Sequence, residues 1–142
     1  GAAINIQPHH DVPKAIEIFG NTIIAKGSGI RVTGGASGYE QRVRGNAVFS
    51  DSPVSGGTQA GNFTAAYADA AAHLVEPFGA LSSFDAFPLT GAMSGVALDT
   101  TGLSAYTDWD VDFNRHARDW TIRGAYAGGG TNPGWIPVLE PR

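Results

Sequence analysis

Two segments of this chain repeat one pattern. "IFGNTII" (Ile18 to Ile24) and "VRGNAVF" (Val43 to Phe49) both read apolar, any residue, Gly, Asn, any residue, then two apolar residues. Asn21 and Asn46 stand 25 positions apart, and a weaker third copy, "AGNFT", carries Asn62. Self-similarity at a period of roughly 20–50 residues marks stacked repeats. Gly-Asn also makes hairpin turns, but a hairpin repeat would be shorter than this step. The spacing therefore predicts short strands that stack from one repeat to the next.

The residues around these copies agree. "GIRVTGG" and "RVRGNAVFS" alternate apolar and polar positions, the period of a strand with one wet face. Gly20, Gly27, Gly29, Gly34 and Gly35 are read as breaks between strands. The chain has 20 Gly and only 15% charged residues, which argues against a helical bundle. "FTAAYADAAAHLVE" is Ala-rich and fits one short helix or an irregular segment. Beyond it the chain is rich in loops, and "NPGWIPVLEPR" is expected to run extended because of its prolines. A β-sandwich is the alternative architecture.

Charge excludes some roles. Residues 1–50 hold five Lys/Arg against three Asp/Glu, and the remainder holds four against ten. That is too weak a basic patch for duplex nucleic acid. With no cysteine, there is no disulfide, thiolate metal site or Cys nucleophile. The apolar runs are far shorter than the ~20 residues that span a bilayer. The chain opens on Gly rather than Met, so it is read as a processed product or a fragment.

Three features together resemble the C-terminal end of bacterial right-handed parallel β-helix proteins, the family of pectate-lyase-like and chondroitinase-like polysaccharide lyases. They are the Gly-Asn copies, "YADAAAHLVEPFGALSS", and "DTTGL" followed by "TDWDVDFNRHARDWTIRGAYAGG". The resemblance implies an all-β chain, with β-helix coils over 1–64. Residues 65–142 would supply a terminal coil, a loop-rich cap and a tail in the same structural unit. It departs from the family at Asn114-Arg115-His116, where Gly-x-x-Arg is expected, and at Ala127, where a Glu should follow Tyr126. The resemblance places the family's catalytic residues in earlier coils, so none is assigned here.

Several residues are candidate sites. Arg31, Arg42 and Arg44 alternate with apolar residues and are expected to point outward. A guanidinium row binds carboxylate or sulfate groups of an acidic polysaccharide bidentately; a merely solubilising face is the plainer reading. Asp108, Asp110, Asp112 and Asn114 match the early ligand spacing of a calcium loop, with Asp119 at the twelfth position. Phe113 occupies the sixth position, where such loops need Gly. Trp109, Val111 and Phe113 alternate with the acids, so a capping strand with a wet acidic face is the stronger expectation. His9, His10 and Asp11 fit a polar loop before Pro13. Trp120, Tyr126 and Trp135 are either sugar platforms or, for the first two, a plug over the open end.

The expected function is that of an exported protein, extracellular, periplasmic or on the cell surface, that binds or degrades an acidic polysaccharide. If an enzyme, it would be a lyase or glycoside hydrolase. A non-catalytic adhesin-like carbohydrate binder and a structural subunit of an extracellular assembly are the alternatives. So few coils imply a partner: N-terminal coils on a separate chain, or other copies of this one. No cofactor is implied beyond possible calcium.

Overall fold

The computed structural model describes residues 1–138. The chain is all-β, with two short 3-10 turns as its only helical elements among these residues. Its strands are β1 (Ala2–Ile6), β2 (Ile16–Phe19), β3 (Thr22–Val32), β4 (Gln41–Arg44), β5 (Ala47–Ser55), β6 (Thr58–Ala60), β7 (Phe63–Ala65), β8 (Leu74–Glu76) and β9 (Asp85–Pro88). The odd strands of the first half form a parallel sheet in the order β1-β3-β5-β7. The even ones form a second parallel sheet, β2-β4-β6. β8 and β9 pair antiparallel in a small third sheet.

Each strand of the second sheet is joined to the next of the first by a Gly-Asn corner: Gly20-Asn21, Gly45-Asn46 and Gly61-Asn62. The three glycines have φ of +62°, +67° and +57°, which an L side chain resists. The asparagines form a ladder. Asn46 Oδ1 accepts from Asn21 N at 3.1 Å and Asn21 Nδ2 at 2.9 Å. Asn62 Oδ1 accepts from Asn46 N at 3.1 Å and Asn46 Nδ2 at 2.9 Å. Asn46 is fully buried, and its Nδ2 also donates to the carbonyls of Ile18 and Arg44. The backbone would have to leave these groups unpaired at a corner; the amide side chain supplies what a strand partner cannot.

Two cores follow from the period-2 alternation. Ile18 and Val43 face Ile23, Ile30, Val32 and Val48 between the parallel sheets. Ala47 and Phe49 pack on the other side of the first sheet, against Ala70, Leu74, Phe87, Met93 and Tyr126 of the second half. Burying a side chain such as Phe49, which is 0% exposed, contributes about 2–3 kcal/mol. The first sheet is thus covered on both faces around Ala47–Phe49.

Several expectations are corrected. The reading as the last coils of a right-handed parallel β-helix of the lyase-like family is not what is found. The parallel strands form separate sheets of four and three strands, and after β7 the chain makes an antiparallel pair and loops instead of a further coil. Gly27 and Gly29 do not break β3. Gly27, at φ +82°, sits in the irregularity between Ala25 and Ser28. A Cβ on Gly29 would lie 2.5 Å from the Pro53 carbonyl oxygen, so the strand needs the glycine to approach its neighbour. The Ala-rich segment splits into β7, a 3-10 turn (Tyr67–Ala72) and β8. The extended tail foreseen at the C-terminus lies partly at 139–142, outside the described residues.

Candidate functional site

Arg31, Arg42 and Arg44 do not form one row. Arg31 lies on the first parallel sheet, exposed, donating to Asn5 Oδ1 at 2.9 Å and Gln7 Oε1 at 3.2 Å. Arg42 and Arg44 lie on the second sheet, opposite Glu17 and Phe19 of β2. Alternation does turn them away from the core between the sheets, but the segment around Asp99–Thr101 covers that outer face. Arg44 is only 5% exposed. Its Nε and Nη2 grip Glu17 at 3.1 and 2.9 Å, while Nη1 and Nη2 donate to the carbonyls of Asp99 at 2.9 Å and Thr101 at 2.8 Å. Arg42 Nη1 is 3.2 Å from the same Glu17. The expectation that Arg44 points outward to bind a ligand is corrected: it is a clasp between sheet and loop.

The acidic run is a turn, not a strand. Asp108 adopts φ +60° and Val111 bridges to Ala117 across a tight antiparallel turn. The expected alternation holds from Asp108 to Val111, with the acids exposed and Trp109 and Val111 half-buried, and reverses at the next pair, with Asp112 buried at 6% and Phe113 exposed at 55%. Asp112 is buried because both carboxylate oxygens are used: Oδ1 accepts from the His116 amide at 2.8 Å and Oδ2 from the Ala127 amide at 2.9 Å. Asp108 pairs with Arg115 at 2.9 Å, and Asp110 is exposed. Asn114 Nδ2 donates to Asn132. Among the described residues no three His, Asp or Glu side chains converge where one metal ion could sit. Calcium is expected to leave the melting temperature unchanged. Asp112→Ala, by freeing two amides of a charge-assisted acceptor, should cost about 2–4 kcal/mol in denaturant unfolding.

His9, His10 and Asp11 form an exposed loop, the two imidazoles edge to face at 4.2 Å. His73 packs on Phe49 and Phe63.

What sequence reasoning missed is a cleft of about 720 Å³ between the Gly-Asn corners and the second half of the chain. It draws residues from Phe19 to Pro137, and eight aromatic side chains line it: Phe19, Tyr67, Phe84, Trp109, Phe113, Trp120, Tyr126 and Trp135. Trp120 and Tyr126 are 3% and 7% exposed and form its floor. They do not plug an end. The indole of Trp120 lies beside both Gly20 and Gly45, so it runs along the stack, where a Cβ on Gly45 would come within 3.1 Å of it. Trp135 and Phe113 form a lip, 60% and 55% exposed, with ring centroids 6.1 Å apart. The lip is pinned by amides: Asn132 bridges Asp85 Oδ1 and Asn114 Nδ2, each at 3.0 Å, and its Oδ1 accepts from the Gly134 amide at 2.9 Å. The alternating aromatics of "DWDVDFN" were visible in the sequence, but not their convergence with Trp135.

Among the described residues the charged lining is Asp85, Asp112 and Arg118. Arg118 stacks 3.6 Å above the Trp120 ring and donates Nη2 to the carbonyls of Ile122 and Gly124. Burial pushes its pKa down to about 10. Burial likewise raises the Tyr126 hydroxyl. Arg118 Nε and Trp120 Nε1 are buried without a partner among the described residues.

Three exposed carboxylates around this half are held below the usual carboxylate range. Asp99 and Asp119 accept from the hydroxyl and amide of Thr101 and Thr121, and Asp108 accepts from Arg115. Their folded values lie below the unfolded 3.8. Their contribution is therefore present above that pH and lost as pH falls through the folded values. Melting temperature should drop below pH ~4, and Asp99→Asn with Asp119→Asn should flatten that drop.

No family model, curated protein or solved structure matches this chain, so the resemblance to the lyase-like family drawn from its motifs has no support from known relatives.

Proposed function

We propose that this protein is a non-catalytic carbohydrate-binding protein and that the aromatic cleft holds one or more sugar rings. The carrying observation is the cleft itself: eight aromatic side chains, two of them exposed as a lip, around about 720 Å³. That volume falls within the ~300–1,000 Å³ of small-ligand sites. Flat aromatic faces suit the C–H faces of sugar rings, while Asn21, Thr22 and Asp85 offer polar groups to hydroxyls. An exported or surface location, where extracellular polysaccharides are met, goes with this reading.

Binding without cleavage is favoured because the cleft's carboxylates already serve the fold. Both oxygens of Asp112 hold backbone amides, and Asp85 Oδ1 accepts from Phe87 N and Asn132 Nδ2. A neutral sugar fits better than a uronate. Among the described residues two carboxylates and one guanidinium line the cleft, and Arg31, Arg42 and Arg44 are not among them. Arg118 is the observation that favours the acidic-polysaccharide alternative.

Retention on immobilised neutral polysaccharides and on polyuronates, at low and high salt, tests the reading. Neutral polymers should retain the protein with little salt dependence. Phe113→Ala should weaken binding by about tenfold, the loss of ~1.4 kcal/mol of aromatic contact. Retention only by polyuronates, abolished by salt, would favour the Arg118 alternative; retention by neither would end the carbohydrate reading.

A further inference from the structure

β9 turns a carboxylate and an aromatic ring to one side. Asp85 and Phe87 stand two positions apart on that strand, so their side chains leave it on the same face. The Phe87 ring meets the Tyr126 ring edge to face, with centroids 5.0 Å apart, and Phe113 meets the same ring at 5.8 Å. The Phe87 amide donates to Asp85 Oδ1 at 2.9 Å, and Asn132 Nδ2 donates to that same oxygen at 3.0 Å. These two bonds fix the carboxylate and leave Oδ2 without a partner among the described residues. No described Lys, Arg or His forms an ion pair with Asp85.

Tyr126 is in a matching condition. It is only 7% exposed, yet no described residue hydrogen-bonds its hydroxyl. Burial, and after it the charges of Asp85 and Asp112, raise the pKa of that hydroxyl, so it keeps its proton and is a donor. The polar atoms sealed away without a partner are others: Asn114 Oδ1, Arg118 Nε and Trp120 Nε1. Asp85 Oδ2 and the Tyr126 hydroxyl are therefore an acceptor and a donor left open in the lining of the cleft. Ile24, Phe84 and Ala125, all half-buried, pack on the cluster that holds Tyr126 and line the same cleft.

On the reading that the cleft holds sugar rings, we infer that its ligand is an N-acetylated amino sugar, whose acetamido group is recognised by Asp85 and Tyr126. Other sugar substituents fit these two atoms less well. A uronate carboxylate has acceptors only, and Asp85 repels it. An ammonium has donors only and leaves the Tyr126 proton unused. A hydroxyl has both but brings nothing apolar to Ile24, Phe84 and Ala125. An acetamido group supplies an N–H for Asp85 Oδ2, a carbonyl for the Tyr126 hydroxyl and a methyl for the apolar wall.

The probes are the methyl glycosides of glucose, glucosamine and N-acetylglucosamine, and of galactose and N-acetylgalactosamine. Each is titrated into isotope-labelled protein and followed by amide shifts. In at least one pair the N-acetylated sugar should bind about tenfold more tightly than its parent, through two added hydrogen bonds, one of them to a charged acceptor. In Tyr126→Phe, which keeps the ring, that ratio should fall to about threefold or less. Equal binding of N-acetylated and parent sugars in both pairs would overturn the inference and leave the carbohydrate reading standing. Glucosamine binding as tightly as N-acetylglucosamine would overturn it too, by assigning the preference to the charge of Asp85 alone. An unchanged ratio in Tyr126→Phe would assign the preference to methyl packing and overturn the role of the hydroxyl. The sugar comparison uses the unaltered protein, so it decides the matter even where the variant fails to fold. No saturable shift with any of these sugars, or with their tetrasaccharides, would end the carbohydrate reading itself.

Discussion

Asn46→Ala is expected to be among the most damaging single substitutions in this chain, lowering unfolding free energy by about 3–5 kcal/mol. The side chain makes five hydrogen bonds at a fully buried position: Oδ1 accepts two from Asn21, and Nδ2 donates to Ile18, Arg44 and Asn62. Alanine removes all five and leaves donors and acceptors of four neighbours short of a partner away from water. Each stranded buried group costs about 1–3 kcal/mol, and partial relaxation keeps the total below the simple sum. Urea unfolding measures it. Asn62→Ala should cost less, because Asn62 is only partly buried and stands at the end of the ladder. Equal costs at the two positions would contradict a ladder whose centre is its driest point.

The second large effect belongs to Arg44. Arg44→Met keeps bulk but leaves Glu17, whose side chain is 10% exposed, facing one guanidinium fewer. It also frees the carbonyls of Asp99 and Thr101 from their donor. Breaking a buried pair by removing one partner costs about 3–5 kcal/mol. Here Arg42 stays 3.2 Å from Glu17 and holds the loss near the lower figure. Removing both charges, as Glu17→Leu with Arg44→Met, should cost less than Arg44→Met alone, since no lone charge is then buried. The loop at 99–101 should become more open to proteolysis in the single variant. An Arg44→Met protein as stable as the parent would mean that the clasp contributes nothing.

How much of this could be read from the sequence depended on how local the cause was. The Gly-Asn copies were legible because the corner is a local device: a left-handed glycine followed by an amide that pairs with the next copy. The side of the strand that carries Arg44 was legible from alternation. What covers that side was not, because Asp99 and Thr101 lie more than fifty residues further on. The acidic run misled for a different reason. Its alternation mimicked a strand, yet Asp108 turns into the left-handed region and Asp112 finds two amides, so burial goes to the acid and exposure to Phe113. The aromatic cleft is the least local feature, with walls drawn from both halves of the chain. The likeness to a lyase-like β-helix rested on three short motifs, and it did not survive the sheet topology.

The central claim is that the cleft binds sugar rings through its aromatic lip. Tryptophan emission reports on it directly, because Trp109, Trp120 and Trp135 all line the cleft and are the chain's three tryptophans. Titration with soluble neutral oligosaccharides should give a saturable change in emission. In Trp135→Ala that binding should fall by about tenfold or more, with the melting temperature unchanged because Trp135 is mostly exposed. No saturable change with any neutral or acidic oligosaccharide, or binding untouched by Trp135→Ala, would contradict the claim.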